Sequence, residues 1–182
     1  MEITKANLNG ILVIKPSVFE DSRGYFAETY HAARYREVGI DVDFVQDNVS
    51  VSKKNTLRGL HFQIPPKGQG KLCQVLKGSV LDVAVDIRSG SPTFGKYFSI
   101  ELSDSNHLQL FIPQGFAHGF AVLSEEVIFH YKCTDFYSKQ HERSIRFDDP
   151  KLGINWGVQN PIVSEKDLNA PLFKDIDMGL NY

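Results

Sequence analysis

The sequence predicts an all-β protein, a sandwich or barrel of short antiparallel strands. Three observations lead there. Short runs with the two-residue period of strands recur along most of the chain. Glycine- and proline-rich turns separate them at regular spacing. Only His31 to Val38 reads as a clear helix.

The 182 residues suit a single domain, 1–182, with a sizeable core. Hydrophobic residues at 42% and charged residues at 23% are ordinary for a globular protein. A net charge of −2 argues against a general nucleic-acid-binding surface. No apolar run is long enough to span a membrane, and Met1 to Asn7 lacks the basic start and apolar run of a secretion signal. The expectation is a cytoplasmic protein with neither membrane nor nucleic acid as partner. Cys73 and Cys133 lie inside strand-like runs without the closely spaced Cys or His of a zinc site. Both are expected to be reduced, buried and structural.

Taken in order, Gly10 to Pro16 is a short strand ended by proline, with apolar Ile11-Leu12-Val13-Ile14 at a sheet edge. Phe19 to Gly24 is a polar turn, and Tyr25 to Tyr30 a strand. The helix from His31 to Val38 stops at Gly39, which has the C-cap role. In Phe44 to Val51, Val45, Val49 and Val51 share one face and Gln46, Asn48 and Ser50 the other. A sheet with one face in water explains that pattern. If the polar face instead lines a cavity, the amides become ligand contacts.

Asn55 to Gln63 is the next strand, and Ile64 to Gly70 a loop. Lys71 to Leu76 and Ser79 to Ile87 flank Lys77-Gly78, a hairpin signal. In the second of these, Leu81, Val83, Val85 and Ile87 form one face, with Asp82 and Asp86 on the other. Tyr97 to Leu102 and His107 to Ile112 are two further strands. Pro113 to Phe120 is a glycine-punctuated bend that delivers His118. Ala121 to Leu123 and Val127 to Thr134 pair around Ser124-Glu125-Glu126, with Val127, Phe129, Tyr131 and Cys133 on one face. Beyond Tyr137 the pattern weakens, with turns at Asp148-Asp149-Pro150 and Asn160-Pro161 and a short helical turn capped by Ser164. This last segment is expected to pack over the β core.

The chemistry concentrates in Leu57-Arg58-Gly59-Leu60-His61-Phe62-Gln63. A histidine titrates nearest neutral pH and is a natural general base; an arginine offers a planar fork suited to phosphate. His61, His118, Lys71, Asp82, Tyr131 and Asp167 are candidates for one site. Singly, each has an ordinary explanation: a satisfied structural His, a solvated Lys, a core Tyr, an Asp in a capping turn. A metal-binding cupin would supply a His-x-His pair, a later Glu and a third His. Here Phe62 and Gln63 stand where a second ligand would fall, so no metal is expected.

The sequence resembles the dTDP-4-dehydrorhamnose 3,5-epimerase family over nearly its whole length. The matching blocks run from Asp21-Ser22-Arg23-Gly24-Tyr25-Phe26-Ala27-Glu28 through Phe44 to Asn48, Leu57 to Gln63, Gly78 to Gly95, Pro113 to Phe120 and Tyr131 to Tyr137, ending at Ser164 to Asp167. The resemblance implies a metal-free cupin-type jelly roll, a homodimer, no cofactor and a dTDP-4-keto-6-deoxy sugar as substrate. It implies His61 as the base, oriented by Asp167, and Lys71 as the cation at the enolate oxygen. Tyr131 would return a proton from the opposite ring face, with Asp82 and His118 as a supporting pair. Arg23, Phe26, Glu28, Gln46, Asn48, Arg58, Glu142 and Lys166 would hold the nucleotide and diphosphate, and Tyr137 would stack on the thymine.

Arg58 and His61 are three apart, so a regular strand would point them to opposite faces. A bulge at Gly59, a role for Arg58 at the strand end, or a reach into another subunit would each resolve this. Competing readings are a mono-epimerase with the same fold and a sugar-binding cupin without catalysis. The second would lack the base or the acid, yet His61, Asp167 and Tyr131 are all present.

Overall fold

The computed structural model describes residues 1–176. Among these, thirteen strands and two short α-helices follow one another: β1 (Glu2–Lys5), β2 (Leu12–Lys15), β3 (Val18–Asp21), β4 (Gly24–Ala27), α1 (Ala32–Glu37), β5 (Gln46–Lys53), β6 (Leu57–Gln63), β7 (Lys71–Lys77), β8 (Ser79–Asp86), β9 (Tyr97–Ser103), β10 (Gln109–Ile112), β11 (Phe116–Val122), β12 (Glu126–Cys133), β13 (Glu142–Ser144) and α2 (Glu165–Leu168). Two antiparallel sheets face each other. One has the order β1-β2-β10-β7-β12-β5, the other β13-β6-β11-β8-β9. From β5 onward the chain alternates between the sheets, except at the β8–β9 pair. This is the cupin-type jelly roll.

The alternation corrects two sequence expectations. Lys77-Gly78 and Ser124-Glu125-Glu126 change the chain direction as expected, but neither closes a hairpin: β7 and β8 lie in different sheets, as do β11 and β12. A turn dipeptide encodes a reversal, not whether the two strands then pair edge to edge or stack face to face. Stacking wins because it buries the inner faces of both strands. The two corners pack on one another, and a side chain at Gly78 (φ +82°) would begin 2.2 Å from the Glu126 carbonyl oxygen.

Between the sheets lies a core of Cys73, Val75, Val80, Ala84, Leu102, Leu110, Ile112, Phe116, Phe120, Val122, Val127 and Phe129, joined by Leu8 and Ile11. Each large side chain fully buried here contributes about 2 kcal/mol. The outer face of the second sheet is not bare. Val83, Val85, Leu60 and Leu57 are covered by Leu152, Trp156 and Phe173, so the C-terminal segment packs over the β core as expected. The same cover explains the pattern of β8. Its apolar face meets that segment, while Asp82 and Asp86 point away from it and are both fully buried. Helix α1 covers the first sheet through Tyr35, which packs with Ile14, Ile40, Leu72 and Phe111. It ends at Gly39 (φ +94°), whose N–H meets the Arg36 carbonyl.

The N-terminal region departs from expectation. Of the expected turn from Phe19 to Gly24, Phe19 to Asp21 belong to β3, which pairs with β4 in a separate hairpin. Strand β1 was not foreseen. It covers β2, so Leu12 to Ile14 lie inside the sheet and not at its edge. Strand β13, also unforeseen, pairs with β6.

Candidate active site

Strand β5 supplies the first wall. Gln46, Asn48, Ser50 and Ser52 lie opposite Cys133, Tyr131, Phe129 and Val127, and directly paired residues share a face. That face is the inner one. Val49 and Val51 point outward at 62% and 58% exposure. The strand is therefore inverted relative to ordinary patterning, and its polar face borders a cleft of about 340 Å³ lined by Gln46, Asn48, His61, Gln63, Gln69, Lys71, Tyr131, Cys133, Tyr137 and Glu142.

Strand β6 supplies the second wall, through a bulge. Along β11, His118 and Phe120 are two apart; their partners on β6, His61 and Arg58, are three apart. The extra residue is Gly59, at φ +126°, where an added Cβ would lie 2.5 Å from the Gly119 Cα. The bulge turns Arg58 and His61 to the same side. Arg58 Nε then donates to Ser52 Oγ at 3.0 Å, on the inner face of β5. Of the three ways to reconcile the two residues, the bulge is the one the fold uses.

His61 Nε2 lies 2.6 Å from Asp167 Oδ1, and Asp167 Oδ2 accepts the Gly59 N–H at 3.3 Å. Asp167 sits on α2, whose Ser164 hydroxyl caps the Asp167 N–H at 3.1 Å. Burial pushes the Asp167 carboxyl up, but the hydrogen bond and charge of His61, with the Gly59 N–H, outweigh it and hold the carboxyl below its usual range. With Nε2 engaged, Nδ1 is the ring nitrogen left to accept a proton.

Lys71 on β7 and Tyr131 on β12 enter from the other sheet, the Lys71 Nζ standing 5.7 Å from the Tyr131 ring centre. Burial pushes the Tyr131 phenol up to about 12, with Cys133 and Cys73 adding to the rise and Arg58 opposing it. Behind Lys71, His118 Nδ1 lies 3.5 Å from Nζ, and His118 Nε2 is 3.0 Å from both Asp82 oxygens. Neither His118 nor Asp82 lines the cleft itself; they form the layer beneath it. Burial is the main cause that draws the His118 imidazole below its usual value, against the pull of Asp82. Cys73 and Cys133 are free and buried. The Cys73 Sγ is 3.8 Å from His118 Nε2, so Cys73, Asp82 and His118 bring one possible ligand atom each within 4.8 Å, a grouping that sequence spacing did not reveal. Lys71 against the same imidazole disfavours a cation there.

The remaining sequence candidates divide into two groups. Tyr137 and Glu142 line the cleft, and Glu142 accepts Tyr137 Oη–H at 3.1 Å and Lys166 Nζ at 2.7 Å. Arg23, Phe26 and Glu28 lie elsewhere. Arg23 pairs with Asp21 at 2.6 Å, Glu28 with Arg34 at 2.5 Å, and Phe26 is 68% exposed on the β3–β4 hairpin. Phe62, Gln63 and Gln69 line the cleft without being sequence candidates for the site, and so does Cys133, expected only as a structural residue. Gln63 was findable, since it follows His61 by two on the same strand face.

His61 on one sheet, paired with a carboxylate from α2, faces a phenol and an amine on the other sheet, in a cleft between the jelly-roll sheets. That arrangement defines a cupin-type acid–base isomerase. A sequence model of the dTDP-4-dehydrorhamnose 3,5-epimerase family matches residues 5–175, and the chain belongs to that family. It is 51% identical to the dTDP-4-dehydrorhamnose 3,5-epimerase of Shigella flexneri over 97% of this chain and 98% of that one. Identity to the Methanothermobacter thermautotrophicus enzyme of that name is 49%, over 91% of this chain and 90% of the relative. The crystal structure of the Legionella pneumophila Philadelphia 1 dTDP-6-deoxy-D-glucose-3,5-epimerase in complex with dTDP-4-keto-L-rhamnose superposes with a TM-score of 0.96 at 47% identity, covering 100% of this chain and 98% of that one. A 3'-monoepimerase from Streptomyces bikiniensis, in complex with dTDP-quinovose, gives 0.88 at 32% identity over 93% of this chain and 86% of that one.

Proposed function

We propose that this chain epimerises dTDP-4-dehydro-6-deoxy-D-glucose at C3 and C5, giving dTDP-4-dehydro-L-rhamnose for dTDP-L-rhamnose biosynthesis. The observation that carries this reading is the placement of His61 and Tyr131 on opposite sheets of one cleft. A sugar ring between them presents one face to each.

The 4-keto group acidifies the hydrogens on both neighbouring carbons, because either carbanion delocalises onto O4. His61 Nδ1 takes the proton, and Asp167 balances the imidazolium that forms. Lys71 stabilises the charge on O4 directly, with His118 and Asp82 fixing the amine from behind. Tyr131 gives its proton to the carbon from the far face, which inverts it. An enolate carbon is a stronger base than a phenolate, so a phenol raised to about 12 still donates. The protons taken and given are restored through solvent before the second carbon reacts. The reaction is redox-neutral and Lys71 supplies the cation, so its balance calls for no cofactor.

The enzyme works as a homodimer in this reading. Phe19, Tyr25 and Phe26 expose 64%, 56% and 68% of their surface on a hairpin that pairs with neither main sheet. A partner's hairpin would bring Arg23, Phe26 and Glu28 to the nucleotide end of this cleft. A site of cytoplasmic action agrees with a nucleotide-sugar substrate; among the described residues no helix is long and apolar enough to cross a membrane.

The test is turnover of dTDP-4-keto-6-deoxyglucose in heavy water, read by NMR. Deuterium at both C3 and C5 is expected. Label at one carbon makes the chain a mono-epimerase, and tight binding with label at neither makes it a binding protein.

A further inference from the structure

Tyr137 stands on a stretch that belongs to neither sheet, yet its backbone is held residue by residue. The Asp135 carbonyl accepts from Gln69 Nε2 at 2.7 Å. The Phe136 carbonyl accepts from Gln63 Nε2 at 3.2 Å. The Tyr137 N–H donates to Gln46 Oε1 at 2.8 Å, and the Ser138 N–H to Gln63 Oε1 at 2.6 Å. Three glutamine amides, from β5, the end of β6 and the loop after it, do here what a neighbouring strand does elsewhere.

Gln63 has no donor left for a ligand. Gln63 is 5% exposed, and its second N–H goes to the Lys67 carbonyl at 2.6 Å, so both its donors and its acceptor are engaged. Gln46 Nε2 donates to Asn48 Oδ1 at 3.1 Å. The far end of Tyr137 is held too, its hydroxyl on Glu142. The ring is thus anchored at backbone and hydroxyl while 56% of the residue stays exposed.

We infer that Gln63 and Gln69, together with Gln46, are positioning residues for nucleotide recognition: they fix the 135–138 backbone so that the Tyr137 ring forms a preset wall for a flat aromatic base. The inference rests on the proposed role of Tyr137 in stacking on the base. A ring already fixed loses less freedom when a ligand stacks on it, so the glutamines contribute affinity through the loop they hold, whatever contacts of their own they make.

The experiment compares Gln63→Glu, Gln69→Leu and Tyr137→Ala, alone and combined, by steady-state kinetics and by calorimetric titration with dTDP. Gln63→Glu keeps an acceptor for the Ser138 N–H, removes both donors and sets a negative charge against two carbonyls. The expected result is a rise in KM and in the dTDP Kd of about ten-fold, with kcat changed less than about two-fold. In the Tyr137→Ala background, Gln63→Glu should add almost nothing, which a merely structural role would not produce. If Tyr137→Ala leaves dTDP binding unchanged, the stacking role itself is wrong. If Tyr137→Ala weakens binding but neither glutamine variant does, or if their effects add to it in full, the positioning inference is overturned. Should Gln63→Glu fail to fold, Gln69→Leu, at a half-buried position, gives the same readouts and separates the same outcomes.

Discussion

The Asp167 carboxylate sits 2.6 Å from His61 Nε2 across 106 residues of chain. One side chain comes from a bulged strand, the other from a four-residue helix in the C-terminal segment. In the proposed mechanism the carboxylate fixes which ring nitrogen faces the reaction and offsets the positive charge the ring gains. Asp167→Asn keeps the shape and removes the charge. We expect kcat to fall about a hundred-fold or more, with KM little changed. A loss under ten-fold in steady-state assays would mean that the carboxylate only supports the fold.

The opposition of His61 and Tyr131 predicts different isotope signatures for their variants. His61→Ala should abolish deuterium exchange at both C3 and C5. Tyr131→Phe should still permit proton removal by His61, so exchange outpaces inversion. Epimerisation by Tyr131→Phe at the native rate would assign the acid role to another group.

Gly59 combines a left-handed backbone with contact against Gly119. Gly59→Ala should destabilise the protein by about 3 kcal/mol or more, since strain and steric overlap both act on it. His61 is two residues away, so activity should fall even in the fraction that stays folded. Thermal unfolding and assay of the folded protein check both. An unchanged Tm would show that the bulge relaxes freely.

If each cleft takes Arg23 from the partner, sites can be rebuilt by mixing. Arg23→Ala and His61→Ala homodimers should each be nearly inactive. Re-associating equal amounts should restore about a quarter of native activity, because each mixed dimer carries one intact site. No recovery, with exchange verified by native mass spectrometry, would place Arg23 outside the partner's cleft.

Asp86 sets a limit on acid stability. Burial raises its carboxyl, but Arg88, Ser91 and Thr93 outweigh that and hold it at about 2. Because the folded value is depressed, its contribution is present above the unfolded value near 3.8 and is lost as pH falls through about 2. It amounts to roughly 2 kcal/mol. Asp86→Asn should lower stability at neutral pH and flatten the acid limb below pH 4, as read by urea unfolding at stepped pH. Parallel curves for both proteins would remove Asp86 from the account.

Sequence alone determined the β class, most strand positions and the chemistry-bearing blocks. These are local properties: a two-residue period, a turn dipeptide or a run of matching residues is complete within a few positions. It also held the contradiction of Arg58 and His61, and the glycine that resolves it. What only tertiary structure decided is which strands stack and which pair, because Lys77-Gly78 encodes a reversal and nothing about the sheet beyond it. The direction of β5 was undecidable for the same reason. Its valines look like a core face, and they point outward because the polar face borders the cleft. The burial of Asp82 and Gln63 was equally hidden, since an aspartate or a glutamine on a strand reads as solvated until something covers it. The C-terminal segment covers the outer face of β8 and leaves Asp82 inside with His118. The loop carrying Tyr137 covers Gln63. Burial and partnership are properties of two distant stretches at once, and no single stretch of sequence contains them.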